Sequence, residues 1–152
     1  MRRSEKAMTE KQARDFLKSK KVGRLGLAND DIPYVVPVHY VPVDNYLYLH
    51  SALQGRKIDY LTKNHAVCFE VDEFYGLDEA EEASKYSTFY RSVMISGTAI
   101  LLKDFKDKQT ALKHLVQHCT GRDDLLIPTE AVKRTAVIQI DIEKMTGKQH
   151  LP

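Results

Sequence analysis

A chain of 152 residues and 17.4 kDa has the length of one domain and can build a core without disulfide staples. Hydrophobic residues make up 43% and charged residues 29%, which excludes a disordered chain and fits an ordinary globular one. The net charge of +2 raises no field that calls for nucleic acid or an anionic membrane, so neither is expected as a partner and any basic function must be local.

In chain order, Met1-Arg2-Arg3-Ser4-Glu5-Lys6 is a charged start followed by no apolar signal core. Thr9 with Gln12 three residues on reads as a capping box, and Ala13, Phe16 and Leu17 at helical spacing predict a short amphipathic helix over residues 10–20. Leu25 and Leu27 alternate with Arg24 and Gly26, so residues 22–29 read as a half-buried strand that ends in the turn residues Asn29, Asp30 and Asp31. Residues 32–43 are β-branched and aromatic yet hold Pro33, Pro37 and Pro42. Proline donates no ladder hydrogen bond, so this segment is expected to be bent or bulged, with some amides and carbonyls left free. Asp44-Asn45 then turns the chain into residues 46–50 as a hairpin.

Residues 55–64 read as a short helix with Ile58 and Leu61 inward, and residues 66–71 as a fourth strand. The acidic, Gly76-containing stretch 75–86 reads as a mobile loop. Residues 88–103 form a long strand with a bulge or bend expected at Gly97. Residues 107–120 read as a helix with Ala111, Leu112, Leu115 and Val116 as its apolar stripe, residues 124–128 as loop, and residues 135–142 as a last strand. Six strands with brief connections and three short helices predict a mainly β (α+β) fold, a closed antiparallel barrel with peripheral helices, in one domain over residues 1–152. Cys68 and Cys119 are too few for a disulfide framework, no apolar run approaches the roughly 18 residues of a membrane span, and a reducing, cytoplasmic setting is expected.

The stretch that carries chemistry is His50-Ser51-Ala52-Leu53-Gln54-Gly55-Arg56-Lys57, where a strand gives way to a helix. A helix N-terminus has bare amides and a partial positive charge, so acidic residues are favoured in its first turn. Here Arg56 and Lys57 occupy it instead. An anion docked there would reverse the mismatch, Ser51 would add a hydroxyl, and Gly55 would let backbone approach; a phosphate is the natural guest. The plainer alternative is a turn serine and a solvated cation pair. Val36-Pro37-Val38-His39-Tyr40, in the strand paired with the one that delivers this turn, offers freed amides and carbonyls to a flat, polar-edged ring, or else is an edge strand guarded by prolines.

Three further patterns carry less. His114 and His118 share a helix face at the spacing of a zinc pair but lack an intervening carboxylate and an evident third ligand, so no metal is expected. His65 and Cys68 fall at a strand start, where cysteine is usually core. Neither a G-x-S-x-G elbow nor a Rossmann or P-loop glycine motif occurs.

Residues 33–40 (PYVVPVHY), 47–52 (LYLHSA) and Gly55-Arg56-Lys57 together resemble the split barrel of pyridoxamine 5'-phosphate oxidase-like proteins that bind flavin mononucleotide (FMN). Within it they are most similar to the nitroimidazole-resistance reductase-like branch, which residues 90–99 and 142–149 also fit. The resemblance implies a six-stranded antiparallel split β-barrel with Greek-key connections and an FMN site at a homodimer interface. It implies that the flavin ring lies against Val35, Val36, Pro37 and Val38, with His50 and Ser51 near the ring and ribityl chain and Arg56 and Lys57 on the phosphate. Tyr90, Arg91, Ser92 and Val93 would complete the site from one subunit or the other. It further implies an oxidoreductase that takes electrons from reduced nicotinamide or from a reductase and passes them to a small molecule such as a nitroaromatic. The alternative is a non-catalytic flavin- or haem-binding, sensing protein. His50 is the candidate proton donor, a strand-end structural histidine being the competing role. The C-terminal Lys148-Gln149-His150-Leu151-Pro152 lacks the Arg-x-His pair with which the oxidases proper hold substrate phosphate, so oxidation of pyridoxamine phosphate is not expected.

Overall fold

The computed structural model of the chain describes residues 4–152; the charged start at Met1-Arg2-Arg3 lies outside the described residues. The capping box is formed, with the Gln12 amide donating to Thr9 Oγ1 at 3.2 Å and the Thr9 amide to Gln12 Oε1 at 2.8 Å, and it opens α1 (Glu10–Ser19). Then follow β1 (Val22–Asn29), β2 (Ile32–Val43), β3 (Tyr46–Ala52), α2 (Arg56–Lys63), β4 (Ala66–Asp78), β5 (Ser87–Leu101), α3 (Phe105–Thr120), α4 (Thr129–Arg134) and β6 (Thr135–His150). All strand pairs are antiparallel and the ring β1-β2-β3-β6-β5-β4 closes, a mainly β barrel with helices around it.

Alternation fills the barrel. Leu25, Tyr40, Leu47, Leu49, Phe69, Val93, Ile138 and Ile140 are each fully buried, and α1 closes one end with Phe16 and Leu17. A second cluster packs Ala111, Leu112 and Leu115 of α3 and Val132 of α4 on Val41 and Val137. Tyr40 Oη donates to the Leu17 carbonyl at 2.6 Å, and burial raises its phenol well above the ordinary range. Tyr40→Phe leaves that carbonyl without its donor and is expected to cost about 1–2 kcal/mol, read as a lower urea midpoint at unchanged m-value.

The bulge expected in β2 does not occur. Its register runs unbroken from His39 opposite Val22 to Ile32 opposite Asn29, then from Tyr40 opposite Leu49 to Val43 opposite Tyr46. The reason is parity. The Tyr40 amide donates to the Lys21 carbonyl, so even-numbered residues point their amides toward β1 and odd-numbered ones away from it. Pro33 and Pro37 are odd, and Pro42 is even but lies beyond the end of β1, so no proline nitrogen faces a ladder. Because β2 pairs with β3 only from Tyr40 onward, the amides of Val35 and His39 and the carbonyls of Pro33, Val35 and Pro37 lie along an open edge. The two strands fork there, and the barrel is split.

Other boundaries move. β4 continues to Asp78 and turns residues 75–78 from loop into strand, with a register shift between Phe74 and Gly76; only residues 79–86 connect it to β5. β6 continues to His150 because its far half pairs with β5. α3 starts at Phe105, capped by Asp104, and α4 was not anticipated. The irregularity at Gly97 is present as a register shift between Ser96 and Gly97. Cys68 is half-buried on the outer face rather than in the core, and both cysteines are free.

Candidate functional site

α2 begins at Arg56, so Arg56 and Lys57 are its first two residues. Its N-cap, Gly55, supplies no side-chain hydrogen bond, and its φ of 131° is one that glycine adopts without strain. No atom lies within 4 Å of where a Gly55 Cβ would sit, so the approach to the first-turn amides is open. Among the described residues neither cation forms an ion pair. The Arg56 guanidinium carbon sits 4.5 Å from the centroid of Tyr34 on β2 and 5.5 Å from that of Tyr60 on α2, and the two tyrosines meet edge to face at 5.5 Å. These contacts hold the helix start against the open edge of β2. Lys57 is half-buried, and that burial lowers its pKa.

His50 and Ser51 alternate, so Ser51 faces the barrel side of β3 and His50 the outer side. The His50 ring runs parallel to that of His39 within 7°, with centroids 6.3 Å apart. Desolvation first, then the His39 ring and the Lys57 ammonium, lower the His50 pKa. A histidine whose folded pKa lies below its unfolded value binds fewer protons folded than unfolded. The stability it supports is therefore whole above about pH 6.5 and is lost as pH falls from there through the folded pKa. The expected outcome is a urea midpoint that drops between pH 7 and 5 by more in the wild type than in His50→Gln.

The sequence model of the pyridoxamine 5'-phosphate oxidase family matches residues 9–149. The chain belongs to that family. A solved structure proposed as a 5-nitroimidazole antibiotic resistance protein, from Bacteroides thetaiotaomicron, is 26% identical and superposes with a TM-score of 0.82 over 93% of this chain and 85% of the other. An FAD-binding protein from Mesorhizobium loti is 26% identical with a TM-score of 0.72 over 95% and 96%. A flavocytochrome from Azotobacter vinelandii shares the fold at 22% identity and a TM-score of 0.88, over all of this chain and 72% of the other. An uncharacterised protein of Rhizobium meliloti is 32% identical over 69 residues, a stretch covering 45% of each chain.

Within this family fold β2 and β3 pair from Tyr40 onward, Arg56 at the start of α2 rests on Tyr34 of β2, and the Lys57 charge acts on His50. Val35 is 63% exposed and Pro37 exposed, while Val38 is buried, so a ligand at the fork would meet outward side chains and backbone. Tyr90, Arg91, Ser92 and Val93 lie elsewhere. Ser51 sits opposite Ala136 and Tyr90 opposite His150, at the two ends of the 16-residue β6. Val93 is fully buried in the barrel, and Arg91 Nε is buried without a hydrogen-bond partner. His118 bonds the Lys20 carbonyl at 2.6 Å, and no group of three or more metal-ligating side chains occurs among the described residues.

Sequence reasoning missed Tyr34 and Tyr60 as holders of Arg56, and His39 as the partner of His50. Signals existed for two of them. Tyr60 is four residues after Arg56 on one helix face, and the two-residue turn at Asp44-Asn45 fixes a register that carries His39 opposite His50. No helix of the described residues is long and apolar enough to cross a membrane.

Proposed function

We propose that this chain is an FMN-binding oxidoreductase that works as a homodimer in a reducing, cytoplasmic setting and reduces a small molecule such as a nitroaromatic. The observation that carries the reading is the start of α2: two cations without carboxylate partners on an uncapped first turn, one of them half-buried, beside the open edge of β2. Keeping Lys57 desolvated without an anion is costly, and a phosphate dianion would offset that cost with charge-assisted hydrogen bonds. The ring of the cofactor would then lie along the free amides and carbonyls of residues 33–39. Residues 90–93, too far along β6 to serve the fork of their own chain, would serve that of the second copy.

FMN supplies the electron chemistry when bound. The chain's part is to hold the phosphate with Arg56, Lys57 and the α2 amides, to offer Val35 and His39 amides to the polar ring edge, and to deliver a proton from the His50 imidazole. The binding relatives point the same way: the Mesorhizobium loti protein is described as FAD-binding. Purified protein should carry the two-banded visible absorption of an oxidised flavin and oxidise reduced nicotinamide when a nitroaromatic acceptor is supplied. A colourless protein that takes up no added FMN contradicts the reading. A flavin spectrum with no turnover for any donor and acceptor favours a flavin store or sensor.

A further inference from the structure

His39 and His50 stand at the fork where β2 and β3 part, on the outer face that α3 covers. Between that face and α3 opens a cleft of about 280 Å³, lined by the two imidazoles together with Leu112, Leu115, Val116 and Ile127. This is just below the ~300–1,000 Å³ of pockets that hold drug-sized ligands, so it admits one or two fused rings and excludes a dinucleotide. Leu112, Leu115, Val116 and Ile127 make its apolar wall, and no carboxylate, lysine or arginine lines it.

Cys119, Thr120 and Thr135 complete the lining, and both threonine hydroxyls are spent on the Val116 and Ala131 carbonyls. Neither imidazole is hydrogen-bonded to another described residue and both are exposed, so each is open to an incoming ligand. Each neutral imidazole has one N–H to give and one lone pair to receive. The parallel rings therefore present donors side by side at the mouth of an apolar slot, the arrangement by which pockets orient a flat ligand through few polar contacts. We propose that this cleft binds a small, uncharged, planar molecule of one or two fused rings that carries a hydrogen-bond acceptor, with His39 and His50 on the acceptor and the aliphatic face of α3 on the ring.

The site shares His39 and His50 with the proposed flavin fork, but its other wall is α3. The cleft is built by α3 and the outer face of the fork, and phosphate capture by α2 is not required for it. If the protein proves to hold a flavin, the cleft is where an acceptor enters; if it does not, the cleft remains a ligand site.

The test is a titration of methyl-labelled purified protein with coumarin, a neutral bicyclic ring with one carbonyl acceptor, followed by nuclear magnetic resonance. Saturable shifts confined to the methyls of Leu112, Leu115, Val116 and Ile127 and to the ring protons of His39 and His50 are expected. Val116→Phe, which fills the slot, should abolish saturation, and Ile127→Phe serves if that variant does not fold. His39→Phe should weaken binding roughly tenfold, the worth of one lost hydrogen bond. No saturation, saturation at methyls outside the cleft, or unchanged affinity in the filled and His39→Phe variants overturns the proposal. Tighter binding of coumarin-3-carboxylate, by tenfold or more, overturns the assignment to uncharged ligands.

Discussion

Arg56→Ala with Lys57→Ala is expected to weaken FMN binding on the order of a hundredfold or more, with the fold intact. Both residues sit in the first turn of α2, and neither forms an ion pair among the described residues. Neither side chain is part of the barrel core, so the loss should appear in binding and not in the melting curve. The Arg56 guanidinium also rests on Tyr34 and Tyr60, so Arg56→Lys should recover only part of the affinity: an ammonium keeps the charge but not the planar stacking. Wild-type affinity should fall with added salt, and the salt dependence should be shallower in the double variant. A double variant that retains flavin like the wild type would remove the α2 cradle from the account.

Gly97→Ala should destabilise the barrel strongly. A Cβ at Gly97 would stand 2.3 Å from the Asp141 carbonyl oxygen and 2.9 Å from Ile140 Cγ2. The first is backbone of the neighbouring strand and cannot rotate aside. Gly97 also lies at the point where β5 and β6 shift register, Ser96 opposing Lys144 and Gly97 opposing Ile142. Overpacking at a fixed neighbour costs about 1–3 kcal/mol, and here the upper end is expected, roughly 6–12 °C in melting temperature. Gly26→Ala is the control, since the nearest atom to its Cβ position is 3.4 Å away. Melting temperatures of the two variants within about 2 °C of each other would show that the close approach at Gly97 does not limit stability.

The elements that residue patterns revealed are those whose two faces differ. β1 alternates between barrel interior and solvent, and α1 carries both its cap and its stripe in ten residues. The far halves of β4 and β6 were not legible. Residues 74–78 and 143–150 show no regular alternation of buried and exposed positions and owe their strand form to pairing with β5. α4, at six residues, is too short to show periodicity. For β2, prolines signalled a break, but what matters is the side on which each proline nitrogen falls, and that depends on a register set by two neighbours.

The site was legible in the same uneven way. The misplaced cations of α2 were visible because they violate a local electrostatic rule at a strand-to-helix junction. The clamp of Tyr34 on Arg56 was not, because it joins residues brought together only by the closed barrel. Residues 90–93 belong by sequence to the same family pattern, yet β6 carries them to its opposite end.

The phosphate is the hinge of the whole proposal, and comparing FMN with riboflavin, the same ring and ribityl chain without it, isolates that group. Quenching of flavin fluorescence on titration with purified protein should give an affinity for FMN at least a hundredfold above that for riboflavin, since two charge-assisted contacts and the helix amides act on the phosphate alone. Equal affinity for the two flavins would mean that the start of α2 does not hold the phosphate, and the account would fail at its root.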